Sequence, residues 1–268
     1  MSRIIEQYLL SKNKDGRGNE DGIFLSDDFI AVIDGATAKS DQKINGKSGG
    51  EIIRDQIMKS LQKMDKDIDV YEAYRFIHEK ILEGCPEEAI LHMTASAIIF
   101  SNSRKQIWLI GDCQALINGH LLSNHSKVDD VLSEARSLAI GCLINEGISI
   151  EELFHHDQGR ELIMPLLKKQ LYLENGEGEF AYPVFNNSPK TVDPEKIGIL
   201  IAEVKEGDEI VLASDGYPYL KNTLAESEEA LAQLLQQDPL CYKVFKSTKG
   251  LTDTTLSFDD RAYIRFLV

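Results

Sequence analysis

Apolar and polar positions follow two periods along this chain, short apolar runs that suit strands and spaced apolar residues that suit helices. In residues 22–35, GIFLSDDFIAVIDG, apolar runs at 23–25 and 29–33 flank the turn-forming Ser26, Asp27 and Asp28, which predicts a β-hairpin. From about Gly49, Ile52, Ile53, Ile57 and Leu61 recur at helical spacing with Met58 and Met64 beside them, and a helix is expected. A second helix is expected over 70–82, where Tyr71, Tyr74, Ile77, His78 and Ile81 form one stripe. Residues 94–119 carry apolar runs at 97–100, 107–110 and 115–117, separated by 101–105 and by Gly111-Asp112, the pattern of an antiparallel meander. Helical segments follow at about 126–140 and 149–171. The polar stretch 174–191 reads as a surface loop with a short strand at 180–185. The chain ends with a strand (197–204), a turn (205–208), a strand (209–214), a helix (about 225–237) and a strand (261–268). Strands joined by short turns at the beginning, middle and end imply an α+β architecture of antiparallel sheets with helices outside. No linker-like stretch divides residues 1–268, so one continuous domain is expected, without internal repeats.

Composition narrows the function. Lys plus Arg number 29 against 44 Asp plus Glu, a formal charge of −15 that repels a phosphate backbone and argues against nucleic-acid partners. The four cysteines (Cys85, Cys113, Cys142, Cys241) are dispersed, without a C-x-x-C pair, which argues against a zinc ribbon and suits a reducing compartment. The charged start is unlike a signal peptide and no apolar run reaches 18 residues, so no membrane is expected and the cytoplasm is the expected location.

The candidate chemistry lies in acids at strand termini. AVIDG (31–35), LIGDC (109–113) and VLASDG (211–216) each run an apolar strand into an Asp, while SFDD (257–260) and Glu20-Asp21 precede strands. A lone Asp-Gly after a strand is ordinarily a turn. Five such acidic termini can converge at one edge of a sandwich, where they repel one another severely unless cations bind between them. Carboxylates without His or Cys beside them suit Mg²⁺ or Mn²⁺. Such ions would also let a strongly acidic protein hold an anionic substrate.

The ordered series NED (19–21), IDG (33–35), TAS (94–96), IGDCQALI (110–117), GDEIVLASDG (207–216) and FDDRAYIRFLV (258–268) resembles the protein phosphatase 2C family, the metal-dependent PPM-type serine/threonine phosphatases. The resemblance spans about residues 17–268. It implies a four-layer α-β-β-α sandwich, agreeing with the strand pattern, and hydrolysis of phosphoserine, phosphothreonine or a related phosphomonoester on a phosphoprotein or small-molecule substrate. By the same resemblance Asp34 bridges two Mn²⁺ or Mg²⁺ ions and the Gly35 carbonyl ligates one. Asp215 and Asp259 ligate the other, and Glu20 reaches its metal directly or through water. Asp21 orients a metal-bound water, and Asp112 helps hold a third, weaker ion. The attacking group it implies is a metal-bound hydroxide, without a phosphoenzyme. Asp260 stands where the family has Asn or Asp. Departures are the family's phosphate-binding Arg, replaced by Gly16 with Arg17 one residue later and Lys14 as the weaker substitute, the altered stretch 36–50, and Cys113-Gln114 in place of Ser-Arg. They motivate a second reading, a catalytically weak PPM-like regulatory module that binds a partner.

Other motifs read as structural. Asn45-Gly46-Lys47-Ser48 imitates the end of a phosphate-binding P-loop, but Asp41 stands where its first glycine belongs. Asp67-Ile68-Asp69 reads as a solvated helix start and His155-His156 as a surface pair. No Cys is followed six residues on by Arg, which excludes a thiolate phosphatase loop of that form.

Overall fold

A computed structural model describes residues 2–36, 39, 43–85 and 92–268. In chain order the first strands are β1 (Arg3–Leu10), β2 (Asp21–Leu25), β3 (Phe29–Gly35), β4 (Thr94–Ser101) and β5 (Gln106–Ile110). They are followed by β6 (Gln114–Ile117), β7 (His120–Ser123), β8 (Phe185–Asn186), β9 (Leu200–Glu203), β10 (Glu209–Ala213) and β11 (Arg261–Leu267). The helices are α1 (Gly49–Leu61), α2 (Val70–Gly84), α3 (Lys127–Asn145), α4 (Ile150–His155), α5 (Gln158–Leu167) and α6 (Leu224–Gln237).

The strands build two antiparallel sheets, ordered β1-β11-β10-β6-β7 and β2-β3-β4-β5-β9, with β8 added to the start of β4. Their inner faces meet through Ile30, Val32, Ile98, Phe100, Ile107, Leu109, Ile210, Leu212, Ile264 and Phe266. The alternate positions of the second sheet, Ala31, Ile33, Ala97, Ile99 and Trp108, face α1 and α2. Burial on both faces explains why the central strands read as continuous apolar runs rather than as alternations. On the outer side of the first sheet Val211, Ala213, Tyr217 and Tyr263 pack with Leu224 at the start of α6, completing an α-β-β-α order. Helix α3 packs on α5 to one side, and Arg136 ties this arm to the 240–247 segment. Its guanidinium reaches the carbonyls of Leu240, Cys241 and Ser247 and pairs with Asp157 at 2.7 Å.

The structure bears out the β2–β3 hairpin, α1, α2, α6 and the closing strands, and corrects other expectations. The 94–119 segment is not one meander: β4 pairs with β5, but β6 joins the opposite sheet beside β10 and β7. The chain changes sheets at Gly111 (φ +95°), where a Cβ would lie 2.0 Å from the Ser96 hydroxyl. The helix expected over 149–171 is interrupted, because His156 is extended and Asp157 caps a new helix by accepting from the Arg160 amide at 2.9 Å. The strand expected at 180–185 shrinks to β8, and that at 197–204 to β9. Strand β1, on the edge and largely exposed, lacks the apolar signal that would announce it.

Candidate metal and phosphoester site

All five acidic termini lie at one end of the sandwich, because strand direction alternates across each sheet and the chain enters or leaves every central strand there. Asp21 opens β2 and stands opposite Asp34 near the end of β3, and Asp34 stands opposite Ser96 on β4. Asp34 and Ser96 share the strand face of Val32 and Ile98. The apolar layer between the sheets therefore ends in a row of polar groups. The Ser96 hydroxyl donates to Asp112 Oδ1 at 2.6 Å, fixing the acid of the sheet crossover. From the opposite sheet Ser214 and Asp215 follow β10 and reach the cluster, the Ser214 hydroxyl accepting from the Ala262 amide at 2.9 Å.

Burial and repulsion raise these acids. Asp34 lies well above the ordinary carboxylate value through burial first and then the charges of Asp21 and Asp215. Asp21 is raised well above its usual value by burial and by Asp259, Asp260 and Asp215. Asp215 is pushed up to about 7 by burial and then by Asp259 and Asp112. Buried oxygens Asp21 Oδ2 and Asp215 Oδ1 have no hydrogen-bond partner among the described residues. Hard oxygen donors, buried, mutually repelling and partly without partners, fit a divalent cation. Among the described residues, however, no three His, Cys, Asp or Glu side chains are drawn into a ready-made ligand cage.

Two lysines stand against the acids instead. Lys12 Nζ lies 3.4 Å from Glu20, 3.3 Å from Asp259 and 3.5 Å from Asp260, and Lys249 also pairs with Asp259. Burial opposes the charge of Lys12, but Asp259, Asp260 and Glu20 outweigh it and raise its pKa. Burial likewise pushes Asp259 up, and Lys249 and Lys12 more than reverse it. Glu20 is raised by burial despite Lys12, and its Oε1 accepts from Ser48 at 2.6 Å. Asp260 braces backbone, since its oxygens accept from the amides of Lys12 (2.7 Å) and Glu20 (2.9 Å) and hold the two loops together. Arg54 of α1 donates to the carbonyls of Asn19 and Asp21, fixing the NED loop from outside.

Gly35 is required by close approach, since a Cβ there would sit 2.5 Å from the Gly50 carbonyl and 2.7 Å from that of Glu20. Arg17 is exposed, and its hydrogen bonds with the described residues are made by its backbone. The 45–48 segment is a tight turn with Asn45 and Gly46 both at positive φ, followed by Ser48 as the cap of α1, so the P-loop likeness has a structural cause. Of the 36–50 stretch, residues 37, 38 and 40–42 lie outside the described residues. His155 and His156 are exposed and pair separately with Asp253 and Glu161.

A cleft of about 640 Å³ opens from Asp34, Asp112, Asp215 and Asp259 toward the α3–α5 arm. Its walls also carry Lys39, Arg160, Lys249, His92 and Glu174. Sequence reasoning missed Lys12, Ser48, Ser96, Lys39, Arg160 and Lys249. Lys12 carried a signal as a cation eight residues before Glu20, and Ser96 as the end of the TAS motif; the others reach the site through the fold.

No protein-family model matches the chain, and no curated protein matches it in sequence. Solved structures do. The photosystem II phosphatase PBCP is 16% identical over 98% of this chain and 97% of its own, with a TM-score of 0.52. The PPM Ser-Thr phosphatase MsPP from Mycobacterium smegmatis, in complex with cacodylate, is 13% identical over 99% of both chains at 0.49. The serine/threonine phosphatase PstP of Mycobacterium tuberculosis is 17% identical over 99% of both chains at 0.48.

Proposed function

We propose that this chain, which has the fold of the PPM-type serine/threonine phosphatases, is a metal-dependent phosphatase acting on phosphoserine, phosphothreonine or a related phosphomonoester. The observation that carries this reading is the convergence of Asp34, Asp112, Asp215 and Asp259 from both sheets on the mouth of one cleft, with Asp21 beside Asp34. Fold alone would not support an activity; the acid end of the sandwich does.

In this reading Asp34, Asp112, Asp215, Asp259, Glu20 and the Gly35 carbonyl hold two Mn²⁺ or Mg²⁺ ions and a weaker third. When bound, such ions neutralise the acids, draw the phosphoryl oxygens in and acidify water. The chain's own residues set the geometry. Ser96 and Ser48 aim Asp112 and Glu20, and Asp260 fixes the backbone that carries Glu20. Asp21, with its Oδ2 lacking a partner, is the group to orient water and hold its proton. Lys12 and Lys249 supply positive charge beside Asp259, where the family's arginine at the position of Gly16 is missing. Arg17 contributes to phosphate binding only if its loop turns inward.

The test is hydrolysis of para-nitrophenyl phosphate with Mn²⁺, with and without EDTA, by the wild type, Asp34→Ala and Asp215→Ala. Each substitution should lower metal-dependent turnover by at least about a hundredfold, and unchanged turnover in both variants would sink the assignment. A second reading, a catalytically weak binding module, is favoured by the lysines seated on Glu20, Asp259 and Asp260. It requires that calorimetry find no Mn²⁺ binding to the wild type and that a phosphopeptide bind without turnover.

A further inference from the structure

The cleft has a second electrostatic character away from the acid row. Arg160 of α5 and Lys39, between β3 and α1, both line it. Each cation is held in place by neutral groups. Arg160 donates to the Thr248 carbonyl at 2.7 Å, and Lys39 to Gln170 Oε1 at 2.8 Å. Burial lowers the pKa of both, although the charges of Glu174 and Asp129 favour charged Lys39 and those of Asp157 and Asp259 favour charged Arg160.

The acids around them are already engaged. Asp157 takes the guanidinium of Arg136. Glu174 accepts from Asn186 at 2.8 Å and lies 2.7 Å from His92. Asp129 accepts from Gln170 at 2.6 Å, and Asp259 holds Lys12 and Lys249. Neither Arg160 nor Lys39 has an ion-pair partner among the described residues, although desolvated cations are costly without one. In a protein of formal charge −15, two partly buried cations that face a cleft without such a partner are a feature that an anion would explain.

We propose that Arg160 and Lys39 form an anion subsite that receives a second oxyanion of the substrate, a flanking carboxylate or a second phosphate, beside the scissile phosphoester. This rests on the phosphatase reading and narrows its substrate to a phosphopeptide with an acidic or multiply phosphorylated flank. Arg160 presents a planar fork suited to either oxyanion, while Lys39 supplies a point charge.

The experiment uses three peptides containing a non-hydrolysable phosphonate analogue of phosphoserine, with Ala, Glu or a second phosphonate two residues to either side. Their binding to the full chain with Mn²⁺ is measured by calorimetry. The wild type should prefer the anionic flanks by about tenfold or more, and Arg160→Ala and Lys39→Ala should each remove most of that preference, with Arg160→Lys keeping part of it. Glu and phosphonate flanks then separate a carboxylate from a second phosphate as the bound group. No preference in the wild type, or an equal loss for all three peptides in Arg160→Ala, would overturn the proposal; equal loss would mean that Arg160 holds the scissile phosphoryl group itself. Arg160→Gln, which removes the charge but keeps a polar side chain, guards against a folding defect, with thermal unfolding measured alongside. Because binding needs no turnover, an inactive wild type would count against the phosphatase reading while the subsite was still tested.

Discussion

Asp129 illustrates how a single carboxyl can work against the fold that holds it. Burial and the charge of Asp112 push it up to about 6, although Gln170 donates a hydrogen bond to it at 2.6 Å. A folded-state pKa above the unfolded one means that the folded protein binds more protons, so this group makes stability fall as pH rises from about 4 to about 6. Above that window the loss is complete. Asp129→Asn keeps an acceptor for Gln170 and removes the charge, so it should stabilise the protein at pH 8 by roughly 1–2 kcal/mol and not at pH 4. Urea unfolding of both proteins at the two pH values checks this, and equal gains would refute it. Residue by residue, the sequence shows the acids at strand termini but not the groups that pair with them. An Asp after an apolar strand is visible as a pattern, whereas the pairing of Lys12 with Asp259 or of Ser96 with Asp112 depends on which chain segments meet.

At the scale of elements, α1 links local sequence to the site. Ser48 accepts from the Glu51 amide and Glu51 accepts from the Ser48 amide, a capping box that starts the helix. The same hydroxyl donates to Glu20. Ser48→Ala should therefore cost about 1 kcal/mol of stability through the lost cap. It should also weaken Mn²⁺ binding, whereas Asp69→Ala at the cap of α2, distant from the acids, should cost stability alone. Calorimetric Mn²⁺ titration with thermal unfolding separates the two effects, and an unchanged affinity in Ser48→Ala would refute the link. Elements with strong periodicity, such as α1, α2, β3 and β11, were legible because both faces of each strand or one full stripe of each helix is buried. β1 escaped notice because an edge strand buries little, and the interruption at Asp157 did so because an acid inside a helical pattern looks like solvent-facing surface.

At the scale of the whole molecule, the sandwich carries the acids and the α3–α5 arm closes the other side of the cleft. Arg136, with no exposed surface, joins α3 to the α5 cap Asp157 and ties the arm to three carbonyls of the 240–247 segment. Asp157→Ala leaves that charge buried without its partner and should cost about 3–5 kcal/mol. Hydrogen exchange should rise in α4 and α5 while the sheets keep their protection. The Arg136→Met/Asp157→Leu pair should recover much of the loss, since two apolar groups leave no buried charge behind. Unaltered unfolding of Asp157→Ala would refute the role. The sequence by itself determined the hairpin, most of the regular elements and the identity of the acids, because apolar periodicity and acids at strand ends are local properties. The tertiary structure decided which sheet β6 joins, that Asp260 braces backbone while Asp21 keeps a carboxylate oxygen without a partner, and that Lys12 stands among the acids while Arg17 is exposed. Those outcomes depend on long-range packing and on the balance of buried charge, which exist only once distant segments are brought within a few ångströms.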